Sequence, residues 1–183
     1  LCFKLGEFSV EDMHIQWYPG HMAKARRMLE ENLALIDVVV ELADARAPEA
    51  TRNPDFDALF ATKNRVILLN KSDLAAKEST RAWIEHYISL GVAAMDFVAT
   101  STEKRKAAIA AIEGAAAEKV KKMRAKGVMK TVRAMVVGIP NVGKSTFINR
   151  VAGQNHARTG DRPGVTKGKQ WVKIGPYLEL MDT

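Results

Sequence analysis

Residues 138–145 read Gly-Ile-Pro-Asn-Val-Gly-Lys-Ser and fit the pattern G-x-x-x-x-G-K-[ST] at every fixed position. The pattern needs glycine where the backbone curls tightly, so that successive N–H groups point at a phosphate. It works only between a strand and a helix, and the apolar run 132–137 and the amphipathic run 144–151 meet that condition. The segment therefore predicts an α/β fold that binds a nucleoside triphosphate. Lys144 would reach the β- and γ-phosphates, and the Ser145 hydroxyl would bind Mg²⁺.

A second motif, Asn70-Lys71-Ser72-Asp73, fits the N-K-x-D pattern that recognises guanine, and it follows the apolar run 66–69. The Asp73 carboxylate can accept hydrogen bonds from guanine N1–H and the exocyclic amine together, whereas adenine would leave it unpaired. Asn70 would brace the pocket, and the stem of Lys71 would lie along the base. An ordinary turn is the alternative for four residues, but a phosphate loop in the same chain favours guanine. Because N-K-x-D follows the phosphate loop in ordinary GTPases, the reversed order here predicts a circularly permuted GTPase.

Strand and helix patterns alternate along the chain, which predicts a mostly parallel sheet with helices on both faces, the P-loop NTPase (Ras-like GTPase) fold. The expected strands are 37–42, 66–69, 95–98 and 132–137, followed by a hairpin of 171–174 and 178–181 that turns at Gly175-Pro176. The expected helices are 21–35, a short one at 54–60, one capped by Ser79 and stopped by Gly91, 103–126, and 144–151. Since the nucleotide motifs lie on either side of it, the alanine- and lysine-rich helix 103–126 could be a linker.

The chain carries 28 basic and 21 acidic residues, a net charge of +7, with most of the excess in its second half. Seven lysines and arginines lie between residues 119 and 133 without an acidic residue among them. Such a run is either a solvated helix face or a footprint for nucleic acid, and the GTPase motifs favour RNA. No apolar run approaches the ~20 residues of a membrane span. A single cysteine, Cys2, excludes an internal disulfide framework, so a cytoplasmic setting is the simplest interpretation.

Three further segments suit a nucleotide site. Thr100 and Ser101 follow the third strand and could contact the far edge of guanine, although a polar strand end is the alternative. Thr166 is the expected switch threonine, which binds Mg²⁺ when a γ-phosphate is present, with Thr159 as its competitor. Asp182 ends the last strand, where a carboxylate beside Mg²⁺ should stand. The predicted nucleotide-binding set is Asn70, Lys71, Asp73, Thr100, Ser101, Gly138, Pro140, Asn141, Val142, Gly143, Lys144, Ser145 and Thr146. Lys144 and Thr166 are also expected to act in catalysis.

Taken together, these motifs resemble the circularly permuted GTPases of the ribosome biogenesis GTPase A (YlqF) family. The resemblance covers residues 14–183. Its most specific segments are Ile-Gln-Trp-Tyr-Pro-Gly-His-Met at 15–22, Asp-Ala-Arg-Ala-Pro at 44–48, Thr-Gly-Asp-Arg-Pro-Gly-Val-Thr at 159–166 and Asp-Thr at 182–183. The resemblance implies a GTPase that acts late in assembly of the large ribosomal subunit, contacts its rRNA and turns over slowly alone. We expect a monomer without a membrane partner.

The same resemblance adds two site residues. His21 matches the histidine that has been proposed in the family to position the attacking water, although it could simply begin a helix. Asn141 matches the phosphate-loop asparagine of K⁺-activated GTPases, although asparagine also tolerates a left-handed turn. Residues 1–12 have neither signal-peptide nor transit-peptide character, and a natural start at Met13 would make them an extension or tag remnant. The resemblance further implies that residues 13–183 form a GTPase domain ending inside its switch II motif and that a C-terminal RNA-binding domain is absent.

Two other functions stay open at this point. The chain could be a GTP-dependent RNA- or ribosome-binding module with negligible hydrolysis of its own. A P-loop kinase or ATPase would require the N-K-S-D match to be accidental.

Overall fold

The computed structural model describes residues 20–153 and 170–183. Within them lies a six-stranded sheet in the order β3-β2-β1-β4-β6-β5. The strands are β1 (Val38–Asp44), β2 (Asn64–Asn70), β3 (Ala93–Asp96), β4 (Val132–Val137), β5 (Gln170–Lys173) and β6 (Leu178–Asp182). The helices are α1 (Gly20–Asn32), α2 (Asp55–Leu59), α3 (Lys77–Ser89), α4 (Arg105–Ala115), α5 (Ala117–Ala125) and α6 (Lys144–Ala152).

All neighbouring strands pair in parallel except β5, which forms an antiparallel hairpin with β6. Parallel strands must be covered on both faces, which explains why their sequences are continuous apolar runs. One face packs on α4 and α6 through Ile112 and Ile148. The opposite face packs on α1, α2 and α3 through Leu29, Phe60 and Tyr87. The predicted α/β fold with helices on both faces is confirmed.

Two of the predicted local features are wrong. Helix α3 begins at Lys77 with Ala76 at its N-cap, so Ser79 lies inside the first turn instead of capping it. The third strand is Ala93–Asp96, two residues earlier than expected, because those residues pair with Val66–Leu69 of β2. Phe97 and Ala99, which the apolar pattern placed in or beside the strand, are buried in the loop that follows.

The linker interpretation of residues 103–126 is also wrong. The segment forms two helices, α4 and α5, separated at Ala116, and α4 buries Ala108 and Ile112 against the sheet. Alanine-rich composition resembles a solvated spacer, but small side chains also let a helix approach a sheet closely. Helix α4 is therefore part of the core, and only α5 lacks a buried residue among its own positions.

One buried charge interrupts the apolar face beneath α2 and α3. Glu41, on the central strand β1, forms ion pairs with Arg52 at 2.8 Å and with Arg65 at 2.6 Å. Both guanidinium groups also contact the exposed carboxylate of Asp57. Burial alone would lower the pKa of Arg52, but Glu41 and Asp57 raise it above its usual value, so Arg52 stays charged. Among the described helices, none combines the length and apolar character needed to cross a membrane.

Candidate functional site

The predicted motifs meet at one edge of the sheet. The carboxyl ends of β1, β2 and β4 lie side by side, since Asp44 pairs with Asn70 and Glu41 pairs with Val137. In open α/β sheets this edge is where ligands bind, because the loops that leave parallel strands converge there. The sheet therefore brings the N-K-x-D segment and the phosphate loop together although about seventy residues separate them in the chain.

The phosphate loop is shaped by two glycines. Gly138 has φ +151° and Gly143 has φ +104°, conformations that side chains rarely adopt. A Cβ atom at Gly138 would lie 2.7 Å from the Leu42 carbonyl oxygen, and one at Gly143 would lie 2.5 Å from Asn70 Nδ2. The loop is thus held against β1 on one side and against the N-K-x-D motif on the other.

Lys144 begins α6 and reaches back across the loop. Its Nζ donates hydrogen bonds to the Gly138 oxygen at 2.8 Å and to the Ile139 oxygen at 3.3 Å. Burial lowers the pKa of Lys144, and the nearby Asp182 carboxylate opposes that shift. A cation in this position, at the N-terminus of a helix, creates a strongly positive cradle for an anion.

Asn70 connects three segments through its side chain. Its Nδ2 donates to the Val142 oxygen of the phosphate loop at 2.8 Å, and its Oδ1 accepts from the Ala99 N–H at 3.0 Å. The amide is buried, and both its nitrogen and its oxygen form hydrogen bonds within the protein. Asn70 therefore links the phosphate loop to the loop that begins at Ala99.

Lys71 and Asp73 occupy the short turn after β2. Lys71 has a left-handed backbone, φ +59°, and its Nζ lies 3.0 Å from Asp44 Oδ2 and 3.4 Å from the Asn141 oxygen. Asp73 lies in the following 3-10 turn, Ser72–Leu74, and is exposed. Its carboxylate is thus accessible to a ligand at the edge of the sheet, as guanine recognition requires.

Sequence reasoning gave Asp44 no role in the site. The carboxylate accepts two hydrogen bonds from the Arg46 guanidinium, at 2.9 and 2.7 Å, in addition to the ion pair with Lys71. Hydrogen bonding by Arg46 and Lys71 outweighs burial and holds the pKa of Asp44 well below its usual range. Asp44 therefore stays ionised and fixes the Lys71 ammonium beside the phosphate loop.

A second missed residue is Arg150, on α6. Its guanidinium donates to the Ala99 oxygen at 3.0 Å and to the Thr100 oxygen at 2.6 Å. Arg105, on α4, in turn donates to the Val151 oxygen at the end of α6. No local pattern marks these arginines, because their partners are backbone carbonyls about fifty residues away. Together with Asn70, Arg150 holds the loop that was expected to contact guanine.

Asp182 lies at the end of β6, next to the start of α6. Its Oδ2 accepts a hydrogen bond from Ser145 at 3.0 Å, whereas its Oδ1 is buried without a hydrogen-bond partner among the described residues. Burial raises the pKa of Asp182, although Ser145 and Lys144 counteract the shift. An unpartnered buried carboxylate oxygen beside a serine hydroxyl is a suitable place for a cation.

The remaining predicted residues fall into two groups. Pro140 and Asn141 form the exposed crest of the phosphate loop, Val142 is buried beneath it, and Thr146 is half-buried in α6. Thr100 is exposed and Ser101 half-buried in the loop held by Arg150. The side chain of His21, in the first turn of α1, and both switch threonines, Thr159 and Thr166, lie outside the described part of the chain.

Residues 133–183 match a family model described as "50S ribosome-binding GTPase". Ribosome biogenesis GTPase A of Priestia megaterium is 51% identical over 173 residues, which is 93% of this chain and 60% of that protein. The crystal structure of GNP-bound YlqF from T. maritima is similar with a TM-score of 0.59 and 30% identity, over 86% of this chain and 56% of that one. A GDP-bound YlqF structure gives a TM-score of 0.57 at 29% identity, over 85% and 56% of the two chains.

This chain spans about 60% of the length of the curated relatives it matches. Within that span, the sequence identity, the similarity of fold and the nucleotide-binding motifs all indicate the same relatives. The chain is a homologue of the circularly permuted GTPases of the ribosome biogenesis GTPase A (YlqF) type.

Proposed function

We propose that residues 13–183 bind and hydrolyse GTP as the nucleotide domain of a switch protein in assembly of the large ribosomal subunit. The observation that carries the proposal is the Asn70 bridge, which links a phosphate loop to a second loop beside the exposed Asp73. A nucleoside triphosphate needs both ends of such a site at a fixed separation. The relatives named for ribosome biogenesis support the cellular role.

Guanine is the base that the site suits. The exposed Asp73 carboxylate can accept from two guanine donors in one plane, and the stem of Lys71 is held close by through Asp44 and the Asn141 oxygen. The loop at Thr100 and Ser101 is held from behind by Arg150 and Asn70, so it is in place before a base arrives. A carboxylate acceptor matches the donors of guanine, whereas the bare N1 of adenine would leave it unpaired.

The chain's own groups would bind the phosphates and stabilise the charge that develops on them. Backbone N–H groups of the phosphate loop, from Asn141 to Ser145, and the Lys144 ammonium would surround the β- and γ-phosphates. Mg²⁺ fits beside them, with Ser145 and Asp182 as its protein partners and Thr166 as the proposed third. Mg²⁺ binds few protein ligands and keeps phosphate oxygens and water, so one hydroxyl and one carboxylate suffice on the protein side. When bound, it neutralises charge on the phosphates.

Two roles are further parts of the proposal. His21 would orient the attacking water as a neutral imidazole, since a protonated ring could not accept the water's proton. Asn141 would place its side-chain oxygen near a K⁺ ion. Its φ of +62° also accounts for an asparagine by backbone conformation alone, so the K⁺ role needs its own measurement, the dependence of GTP turnover on K⁺ over Na⁺.

A second candidate function is a GTP-dependent binding module whose hydrolysis is negligible until a ribosomal particle completes the site. GTP turnover measured with and without purified large subunits separates the two. Detectable turnover by the chain alone favours the enzyme, and turnover only with subunits favours the module. His21→Ala that leaves either rate unchanged removes His21 from the mechanism.

We expect Asp73→Asn to exchange the base preference. Xanthine carries a carbonyl where guanine carries its exocyclic amine, so an asparagine amide matches xanthine while the aspartate carboxylate matches guanine. Loss of a paired charge in the base site should weaken GDP at least ~100-fold and strengthen XDP. Isothermal titration with GDP and XDP measures both. Glu85→Gln, which removes another exposed carboxylate, should change neither, and an unaltered GDP preference in Asp73→Asn would disprove the guanine assignment.

We expect Arg150→Met to weaken GDP about tenfold, because the charge-assisted hydrogen bonds that hold Ala99 and Thr100 are lost. Affinity for tripolyphosphate, which makes no base contact, should stay the same, since Arg150 donates to neither Gly138 nor Lys144. Competition against a fluorescent GDP analogue measures both ligands. Arg81→Met, on the exposed side of α3, is the matched control. Equal losses for GDP and tripolyphosphate would show that Arg150 acts on the whole fold and not on the base loop.

A further inference from the structure

Helix α5 presents a dense group of exposed cations at the end of the sheet opposite the phosphate loop. Lys121, Lys122, Arg124 and Lys126 are exposed, and none has an ion-pair partner within residues 20–153 and 170–183. We call these four residues the basic face. The neighbouring cations form ion pairs within the domain: Lys119 and Lys130 pair with buried Asp37, and Arg133 pairs with Glu179.

An apolar groove of about 390 Å³ lies alongside the basic face. Its lining includes Val120, Val128, Met129 and Tyr177 together with Lys121, Arg124 and one acidic residue, Glu113. Met129 is 63% exposed and Tyr177 is 50% exposed, so two large side chains of the groove are open to solvent next to the basic face. A half-exposed aromatic side chain, Tyr177, thus lines the same groove as the unpaired cations Lys121 and Arg124.

The surface is held rigidly although it lies at the periphery. Helix α5 ends in a Schellman motif, in which the Gly127 N–H bonds to the Arg124 oxygen and the Val128 N–H bonds to the Met123 oxygen. Asp37 ties Lys119 and Lys130 to the start of β1, and its carboxylate also accepts from the Arg133 N–H at 3.0 Å. The end of α5 and its attachment to the start of β1 are therefore held by hydrogen bonds and ion pairs within the domain.

Neither folding nor helix stability explains the basic face. Helix α5 contributes no fully buried residue, and its contact with the core is made by half-buried Val120 and not by its cations. Lys122 and Lys126 are four residues apart and Lys121 and Arg124 are three apart, spacings at which like charges repel. The helix dipole favours Lys122 and Arg124 in the last turn, but it does not account for Lys121 or for the exposed tyrosine.

We propose that the basic face and Tyr177 bind a single-stranded segment of RNA, with phosphates on the four cations and one base stacked on the tyrosine ring. Positive charge that follows the backbone, combined with an aromatic platform, is the usual arrangement for unpaired nucleic acid. An acidic peptide would fill the groove, but it would leave the cations on the outer side of α5 unmatched. The choice of RNA over other polyanions rests on the proposed role in ribosome assembly. Because the groove borders Val132, at the opposite end of β4 from the phosphate loop, RNA and nucleotide can be bound together.

The test is binding of a fluorescent 16-nucleotide single-stranded RNA, followed by anisotropy at several salt concentrations. Lys121→Gln/Lys122→Gln should weaken binding about tenfold and reduce the slope of log K against log[salt] by about 1.4, because about 0.7 is lost per phosphate contact. Tyr177→Ala should weaken binding about tenfold through loss of stacking, whereas Tyr177→Phe should bind normally. Lys77→Gln/Lys106→Gln removes two exposed charges from α3 and α4 and is the matched control.

If Lys121→Gln/Lys122→Gln and Lys77→Gln/Lys106→Gln lost the same amount of RNA affinity, net charge alone would explain the effect, and the proposal would be overturned. So would a Tyr177→Ala chain that binds RNA normally but loses an acidic helical peptide, since the groove would then be a protein site. GDP affinity is measured for every variant and should not change. If the unsubstituted chain bound RNA but not GDP, the result would count against the nucleotide site only. If it bound GDP and no variant changed its RNA affinity, the result would count against this surface only.

Discussion

Gly143→Ala is expected to reduce GDP affinity at least ~100-fold while the sheet stays folded. Gly143 has φ +104°, and a Cβ atom there would lie 2.5 Å from Asn70 Nδ2. The added methyl group therefore either changes the backbone of the phosphate loop or displaces the Asn70 amide. Displacement of Asn70 breaks its bonds to the Val142 oxygen and to the Ala99 N–H, so one substitution disturbs both ends of the site.

The measurement is isothermal titration with GDP, together with urea unfolding to show that the domain is intact. Gly114→Ala is the matched control, because Gly114 lies in helix α4, where an added Cβ atom would meet no neighbouring group within 4 Å. Alanine there should leave GDP affinity unchanged and slightly stabilise the helix. Normal GDP affinity in Gly143→Ala would mean that the phosphate loop is not the nucleotide site.

The residues that could be predicted from sequence are those whose chemistry needs one residue type at one spacing. Gly138, Gly143 and Lys144 follow from the close approach of backbone to phosphate, and the structure has the strand, loop and helix that the pattern requires. The position of the N-K-x-D motif at the end of β2 also follows, because a short apolar run before it is typical of a buried parallel strand.

The residues that could not be predicted act on backbone atoms far away in the chain. Arg150 donates to carbonyls 50 and 51 residues earlier, and any side chain with the same reach would look alike in the sequence. Asp44 belongs to a recognisable segment, but its ion pair with Lys71 depends on β1 and β2 being neighbours in register. Tertiary contacts also determine the role of helix α4. Its composition indicated a solvated spacer, but burial of Ile112 against the sheet makes the helix part of the core.

The proposed base loop, which contains Thr100 and Ser101, is connected directly to the helix that follows the phosphate loop. Arg150 of helix α6 donates to the Thr100 oxygen, and Asn70 accepts from the Ala99 N–H. Helix α6 and the N-K-x-D motif therefore both support the loop at Thr100. A shift of α6 on phosphate binding would therefore move the loop at Thr100 as well, through Arg150, and change its position relative to the base. The Arg150→Met comparison of GDP with tripolyphosphate measures that coupling.

The largest loss of stability is expected from Glu41→Gln, with a decrease of ~3–5 kcal/mol in the free energy of unfolding. Glu41 is 1% exposed and carries the only carboxylate, within the described residues, that is buried against both Arg52 and Arg65. Glutamine keeps the volume but removes the charge, so two nearly buried guanidinium groups lose their main partner. Urea unfolding followed by circular dichroism measures the change.

Asp57→Asn is the matched control, since Asp57 contacts the same two arginines but its side chain is 61% exposed. Water screens that carboxylate, so its loss should cost less than ~1 kcal/mol. Replacing all three buried groups together, as Glu41→Leu/Arg52→Met/Arg65→Met, should restore most of the lost stability, because the desolvation cost disappears with the charges. Equal effects of Glu41→Gln and Asp57→Asn would contradict this account, because burial of the carboxylate would then not determine the contribution of the ion pair.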